Sequence, residues 1–167
     1  MKNVAVFGAG RIGRIHASNL AALPGVKLKY VSDPMAQYAG ELAQKFGAQV
    51  ATIEDVFADK SVDAVAICSS TDTHSDLITR AAKAGKHIFC EKPVDLSVPR
   101  AQACAETVKA AGVACMIGFQ RRFDPTFARI KQAIVSGEIG KPHIAHLISR
   151  DPGPPHVGPV GLGGGIW

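Results

Sequence analysis

No apolar run in this sequence approaches the ~20 residues that a membrane-spanning helix takes, so neither a span nor a membrane partner is expected. The opening MKNVAVFGAG lacks the layout of a secretory leader and moves straight into a strand and a glycine turn, which makes the cytoplasm the expected compartment. Cysteine is sparse. Cys68, Cys90, Cys104 and Cys115 form no C-x-x-C pair and no zinc spacing. Three of them lie in the apolar runs VAIC, HIFC and VACMIG, where a thiol behaves as a small hydrophobe, and all four are read as reduced and structural. Aromatic residues are only 6%, and the basic residues behind the net charge of +5 are scattered, Arg121-Arg122 being the densest pair. Nucleic acid is therefore not an expected partner, because a stacking platform and a basic stripe are both missing. Mild basicity suits an anionic cofactor or substrate instead. His143, His146 and His156 lack the i,i+4 pairing of a helical metal site, and no metal is expected.

What is present is a regular alternation. Apolar runs at residues 3–7, 26–32, 49–52, 62–68, 86–90 and 113–118 read as strands. Helical segments separate them: residues 12–23, a stretch opened by Pro34 and closed by Gly47, 53–58, 75–84, and 98–111 with Ser97 as its N-cap. Strands this apolar, spaced by helices, belong in a parallel sheet covered on both faces. The fold class is thus α/β, a doubly wound parallel sheet. After Gly118 the pattern changes to a polar FQRRFDP loop, a basic helix over residues 125–136 capped by Asp124, and an alternating strand over residues 144–148. That strand is expected to begin a second, α+β domain, with the boundary near Phe119. Residues 151–167 hold six Gly and four Pro, a loop that reads as a chain stopping in mid-domain.

Gly8-Ala9-Gly10-Arg11-Ile12-Gly13 satisfies G-x-G-x-x-G directly after a strand and at the start of a helix, the context that turns a weak pattern into a dinucleotide fingerprint. Gly8 permits the tight turn, Gly10 lets backbone approach a pyrophosphate, and Gly13 lets helix and strand pack closely. The helix N-terminus, at Arg11 and Ile12, adds unpaired amides and a positive dipole end. Asp33, 20 residues past Gly13 at the end of the second strand, can accept from both ribose hydroxyls and would repel the extra phosphate of NADP. NAD is the expected cofactor. The plainer alternative is that Asp33 only starts the next helix. Two further loops leave the carboxyl ends of strands, where ligands of open parallel sheets bind. Ser69, Ser70, Thr71 and His74 lie in one and Glu91-Lys92-Pro93 in the other. The Ser/Thr run could serve the cofactor or simply begin a helix.

GAGRIG, STDTH, FCEKP and GFQRRFDP together resemble the Gfo/Idh/MocA oxidoreductase family, over the whole chain. ISRDPGPP and GGGIW look most like its inositol 2-dehydrogenase branch. The resemblance implies NAD-dependent oxidation of a secondary hydroxyl on a cyclic polyol or sugar, as in myo-inositol to its 2-ketone. It implies Lys92 as the catalytic lysine, Glu91 near the nicotinamide ribose, Gln120 and Arg121 bordering the nicotinamide end, and a homo-oligomer at full length. Chemistry agrees, since hydride loss from a carbinol needs a neighbour that takes the hydroxyl proton, and a buried lysine beside positive charge can share that role. The Lys92–Pro93 bond is expected trans on frequency alone. The family adds an Asp and a His beyond a segment like GGGIW, past Trp167, so turnover by this chain is in question. A non-catalytic NAD-binding module, or an interaction protein offering its edge strand, are the other functions considered.

Overall fold

The structure, a computed structural model, describes residues 1–148 and 150. Six strands, β1 (Lys2–Phe7), β2 (Val26–Ser32), β3 (Gln49–Val50), β4 (Ala64–Ile67), β5 (His87–Cys90) and β6 (Cys115–Ile117), form one sheet in the order β3-β2-β1-β4-β5-β6. Every pairing is parallel. The order reverses between β1 and β4, and a crevice opens beyond their carboxyl ends. Helices α1 (Arg11–Ala22), α2 (Ala36–Phe46), α3 (Ile53–Ala58), α4 (Thr71–Lys83) and α5 (Val98–Ala111) supply the crossovers.

The strands are apolar on both faces because both are covered. On β1, Val6 packs with Ala17 of α1 and Leu42 of α2, while Ala5 and Phe7 face Leu77, Ile78 and Ala81 of α4. Among the described residues no helix is long and apolar enough to cross a membrane.

Several boundaries differ from expectation for local reasons. α2 begins at Ala36, not Pro34, because Asp33 Oδ1 accepts from the Met35 amide at 2.8 Å and holds a turn ahead of the helix. α4 begins at Thr71, so the expected Ser/Thr loop is in fact an N-cap and first turn. Ser97 sits at the N-cap of α5 but its side chain caps nothing; Asp95 Oδ1 takes the Ser97 amide instead. Asp124 does cap α6 (Pro125–Val135), accepting from the Thr126 and Phe127 amides. The buried thiols are Cys68, Cys90 and Cys104, with Cys115 exposed. The expected strand at 144–148 is absent: these residues carry no regular structure, and Ile144 is 91% exposed. No described strand lies beside them to take their backbone hydrogen bonds, and period-2 patterning alone does not make a strand. The segment 151–167 lies outside the described residues.

Asp95 ties the loop after β5 to two helices. The Ser75 hydroxyl donates to it, the Ser97 amide donates to it, and Arg100 Nε lies 2.9 Å away. These partners hold its carboxyl well below the ordinary value, at about 2, with the Ser75 hydroxyl the largest cause. A carboxyl lowered in the folded state stabilises above its unfolded value and loses that contribution as pH falls through the folded one. We therefore expect the melting temperature of Asp95→Asn to be lower at neutral pH and to fall less than that of the parent between roughly pH 5 and pH 2 in thermal melts.

Candidate functional site

The turn between β1 and α1 is shaped by three glycines that meet different constraints. Gly8 adopts φ +94, and a Cβ on it would lie 2.5 Å from the Cys68 carbonyl oxygen of the neighbouring strand end. A Cβ on Gly13 would lie 1.8 Å from the Gly8 carbonyl oxygen, so the helix can cross this close only over glycine. Around Gly10, its own chain neighbours aside, no protein atom lies within 4 Å of a Cβ position. Its backbone borders open space, which is where a ligand's own bulk would sit.

Gly10 is the N-cap of α1, no side chain caps it, and the first turn carries no acidic residue. By contrast α3 closes its N-terminus with a Thr52–Asp55 capping box. The α1 amides and dipole end thus remain available to an anion at the crevice mouth. Ala9 donates its amide to Asp33 Oδ2 at 2.6 Å, which brings the end of β2 against the glycine turn. With Met35 on Oδ1, each Asp33 oxygen holds one backbone amide and keeps lone-pair capacity for a further donor. Contrary to the plainer reading, Asp33 does not start the next helix, since Met35 is the N-cap of α2; it holds the turn ahead of that helix and lines the crevice.

Two clefts lie beside this turn. One, of about 940 Å³, is lined by Gly8, Asp33, Pro34, Ser69, Ser70 and Thr73 among others. The second, of about 670 Å³, is lined by Arg11, Ile12, Ser69, Thr71, His74, Glu91, Lys92 and Gln120 with Ile15, His16 and Cys68. Ser69 borders both. The first residues of the uncapped α1, Arg11 and Ile12, line the second cleft, and Gly8 lines the first. A diphosphate flanked by two nucleosides fits this layout: a carboxylate at one end, amides at the centre, and a cationic, hydrogen-bonding pocket at the other.

His74 is only 2% exposed, and both ring nitrogens face backbone carbonyls, Pro93 O at 2.7 Å and Ser69 O at 3.1 Å. It joins the start of α4 to the Glu91-Lys92-Pro93 loop. Lys92–Pro93 is cis, against the expectation of trans. Lys92 itself is exposed at the cleft rim, so the described residues do not bury its ammonium as the sequence reading supposed. Gln120, in a single 3-10 turn over Gln120–Arg122, joins the same cleft. Arg121 does not; its guanidinium stacks on Phe127, 5.1 Å from the ring centre, over a separate surface hollow. Burial, with the Glu91 charge behind it, pushes the Cys68 thiol up to about 12, which keeps it from acting as a nucleophile at neutral pH.

One residue escaped the sequence reading. His16, one helical turn beyond Gly13, places Nε2 2.7 Å from Glu91 Oε1. The signal was there in the i,i+4 relation of Ile12 and His16, which puts both on one face of α1.

A six-stranded parallel sheet in this order, with a glycine fingerprint and an acidic residue closing β2, defines an NAD-binding Rossmann domain. The chain belongs to the Gfo/Idh/MocA family, described as an oxidoreductase family with an NAD-binding Rossmann fold, whose model matches residues 2–119. It is 43% identical over 162 residues to an inositol 2-dehydrogenase of Rhizobium meliloti, covering 97% of this chain and 49% of that protein. It is 42% identical to a myo-inositol 2-dehydrogenase of Thermotoga maritima, covering 98% and 50%. The crystal structure of scyllo-inositol dehydrogenase from Lactobacillus casei, solved with NAD(H) and scyllo-inositol bound, superposes with a TM-score of 0.79 at 28% identity, covering 84% of this chain and 42% of that one. The chain spans about half the length of the curated relatives it matches.

Proposed function

We propose that this chain binds NAD across the two clefts and serves an enzyme that oxidises a secondary hydroxyl of a cyclic polyol, myo-inositol to its 2-ketone being the leading case. The observation that carries this is a pair of clefts that share Ser69 beside the uncapped end of α1, with Asp33 in one and Lys92 in the other. In this reading Asp33 accepts from the adenosine ribose hydroxyls, Gly8, Gly10, Arg11, Ile12 and Gly13 pass the pyrophosphate along their backbone, and Ser69, Ser70 and Thr71 line the middle of the groove. Glu91, Gln120 and Arg121 belong to the nicotinamide end, Arg121 only if its stacked guanidinium swings inward. His74 acts mainly by holding the two loops together.

NAD, when bound, supplies the hydride acceptor. Lys92, in its neutral amine form, would accept the hydrogen bond and then the proton of the reacting hydroxyl, becoming ammonium as hydride leaves the carbinol carbon and the carbonyl forms. The relatives named as inositol dehydrogenases support the substrate class. We place the boundary of the cofactor domain at Phe119, just after β6, and assign the residues beyond it to a substrate domain in a homo-oligomer.

Calorimetric titration with NAD and with NADP, followed by a turnover assay with myo-inositol, tests the reading. Tighter binding of NAD with reduction of the cofactor supports it in full. Binding without turnover reduces this chain to an NAD-binding module, and no binding of either dinucleotide at millimolar concentration ends the proposal.

A further inference from the structure

The Glu91 carboxylate is held by elements far apart in the chain. His16 on α1 sits 2.7 Å from Oε1, and the Lys92 amide donates to Oε2 at 3.3 Å. Gly118, just past β6, leaves the space the carboxylate fills: a Cβ there would come within 3.2 Å of both Cδ and Oε1. The His16 ring is fixed in turn against Phe89, with ring centres 4.7 Å apart. The pair is not sealed in the core, since His16 is 24% and Glu91 21% exposed, and both line the cleft that holds Lys92 and Gln120. A single partly exposed side-chain hydrogen bond contributes little to stability. Its cost in side-chain freedom is instead explained if the fixed carboxylate has a task in the cleft.

We propose that His16 is a positioning residue: by holding Glu91, and through it the backbone of Lys92, it pre-forms the pocket for the nicotinamide riboside half of NAD. This rests on the reading that NAD binds with that half in the cleft of Lys92. Glu91 without His16 has three rotatable bonds free, and a ligand must then order the side chain as it binds. Held as it is, Glu91 loses that freedom before the ligand arrives. Its remaining lone pairs are set to accept from a ribose hydroxyl, and the Lys92 backbone is set with them.

Titration of the intact chain with NAD and with ADP, which shares the adenosine end and the phosphates but lacks the nicotinamide riboside, isolates this contribution. His16→Leu is expected to weaken NAD about tenfold and ADP less than about twofold, the scale of one hydrogen bond to a charged group. His16→Gln, whose carboxamide returns an N–H donor near the Nε2 position, is expected to keep NAD within about threefold of the parent. Should the leucine variant fail to fold, His16→Asn, too short to reach Glu91, carries the same expectation. An unchanged NAD-to-ADP ratio in His16→Leu or His16→Asn, or a glutamine variant no better than these, overturns the proposal while leaving NAD binding intact. A parent chain that binds ADP as tightly as NAD removes the assignment of the cleft, and this inference with it.

Discussion

Gly13→Ala is expected to lower the melting temperature by roughly 6–12 °C, because forcing a methyl into a filled space costs about 3 kcal/mol. The methyl would meet a backbone carbonyl, Gly8 O, at 1.8 Å, and a carbonyl fixed in the tight turn after β1 cannot swing aside as a side chain would. Relief requires α1 to lift from β1, which also moves its amides away from the crevice. Gly10→Ala makes the informative contrast. Beyond its chain neighbours nothing of the protein lies within 4 Å of its Cβ, so the variant is expected to melt within roughly 4 °C of the parent, the scale of a less favourable N-cap. Its NAD affinity is nevertheless expected to fall at least about tenfold, because the methyl stands where the pyrophosphate must approach. Thermal melts by circular dichroism with calorimetric titration check the pair. A Gly10→Ala chain that binds NAD like the parent would show that the open space at Gly10 is not the ligand path.

Asp33→Ser is expected to weaken NAD by about 10–100-fold, the effect of losing one or two hydrogen bonds to a charged acceptor. It is also expected to remove most of the discrimination against NADP, since the carboxylate that repels a 2′-phosphate is gone. Part of the effect is structural. The Ala9 amide, now donating to Asp33 Oδ2, loses its partner, whereas a serine hydroxyl can still receive the Met35 amide. The ratio of NAD to NADP affinity separates recognition from this loosening, because a displaced glycine turn weakens both dinucleotides together. A parent chain that prefers NADP would refute the role of Asp33 outright.

The sheet was legible in the sequence because its strands are short apolar runs, most of them next to a glycine, and the glycine fingerprint marked the turn that ends β1. The starts of α2 and α4 were not. In both places a side chain or backbone group made a bond that single-residue propensities do not contain: Asp33 to the Met35 amide, and the Ser70 carbonyl to the Thr73 amide. The alternation at 144–148 predicted a strand, but a strand is a property of a pair, and the described residues provide no neighbour. At the site, Gly8, Gly13, Asp33 and Lys92 followed from pattern or resemblance. His16 was marked only by its i,i+4 relation to Ile12; its partner Glu91 lies 75 positions away, after β5, and the folded sheet is what brings the two together. Arg121 was named from its place in a motif, which says nothing about the direction its side chain takes.

The strand that leads the chain is also the middle of the sheet, flanked by β2 and β4. Its first residues therefore lie at the amino end of the sheet, about 20 Å of extended chain from the glycine turn at ~3.3 Å per residue. Met1 is 87% exposed there. A purification handle, a fluorophore or a surface tether attached ahead of Met1 would project from the floor of the molecule, leaving the opposite rim free to receive a dinucleotide from solution.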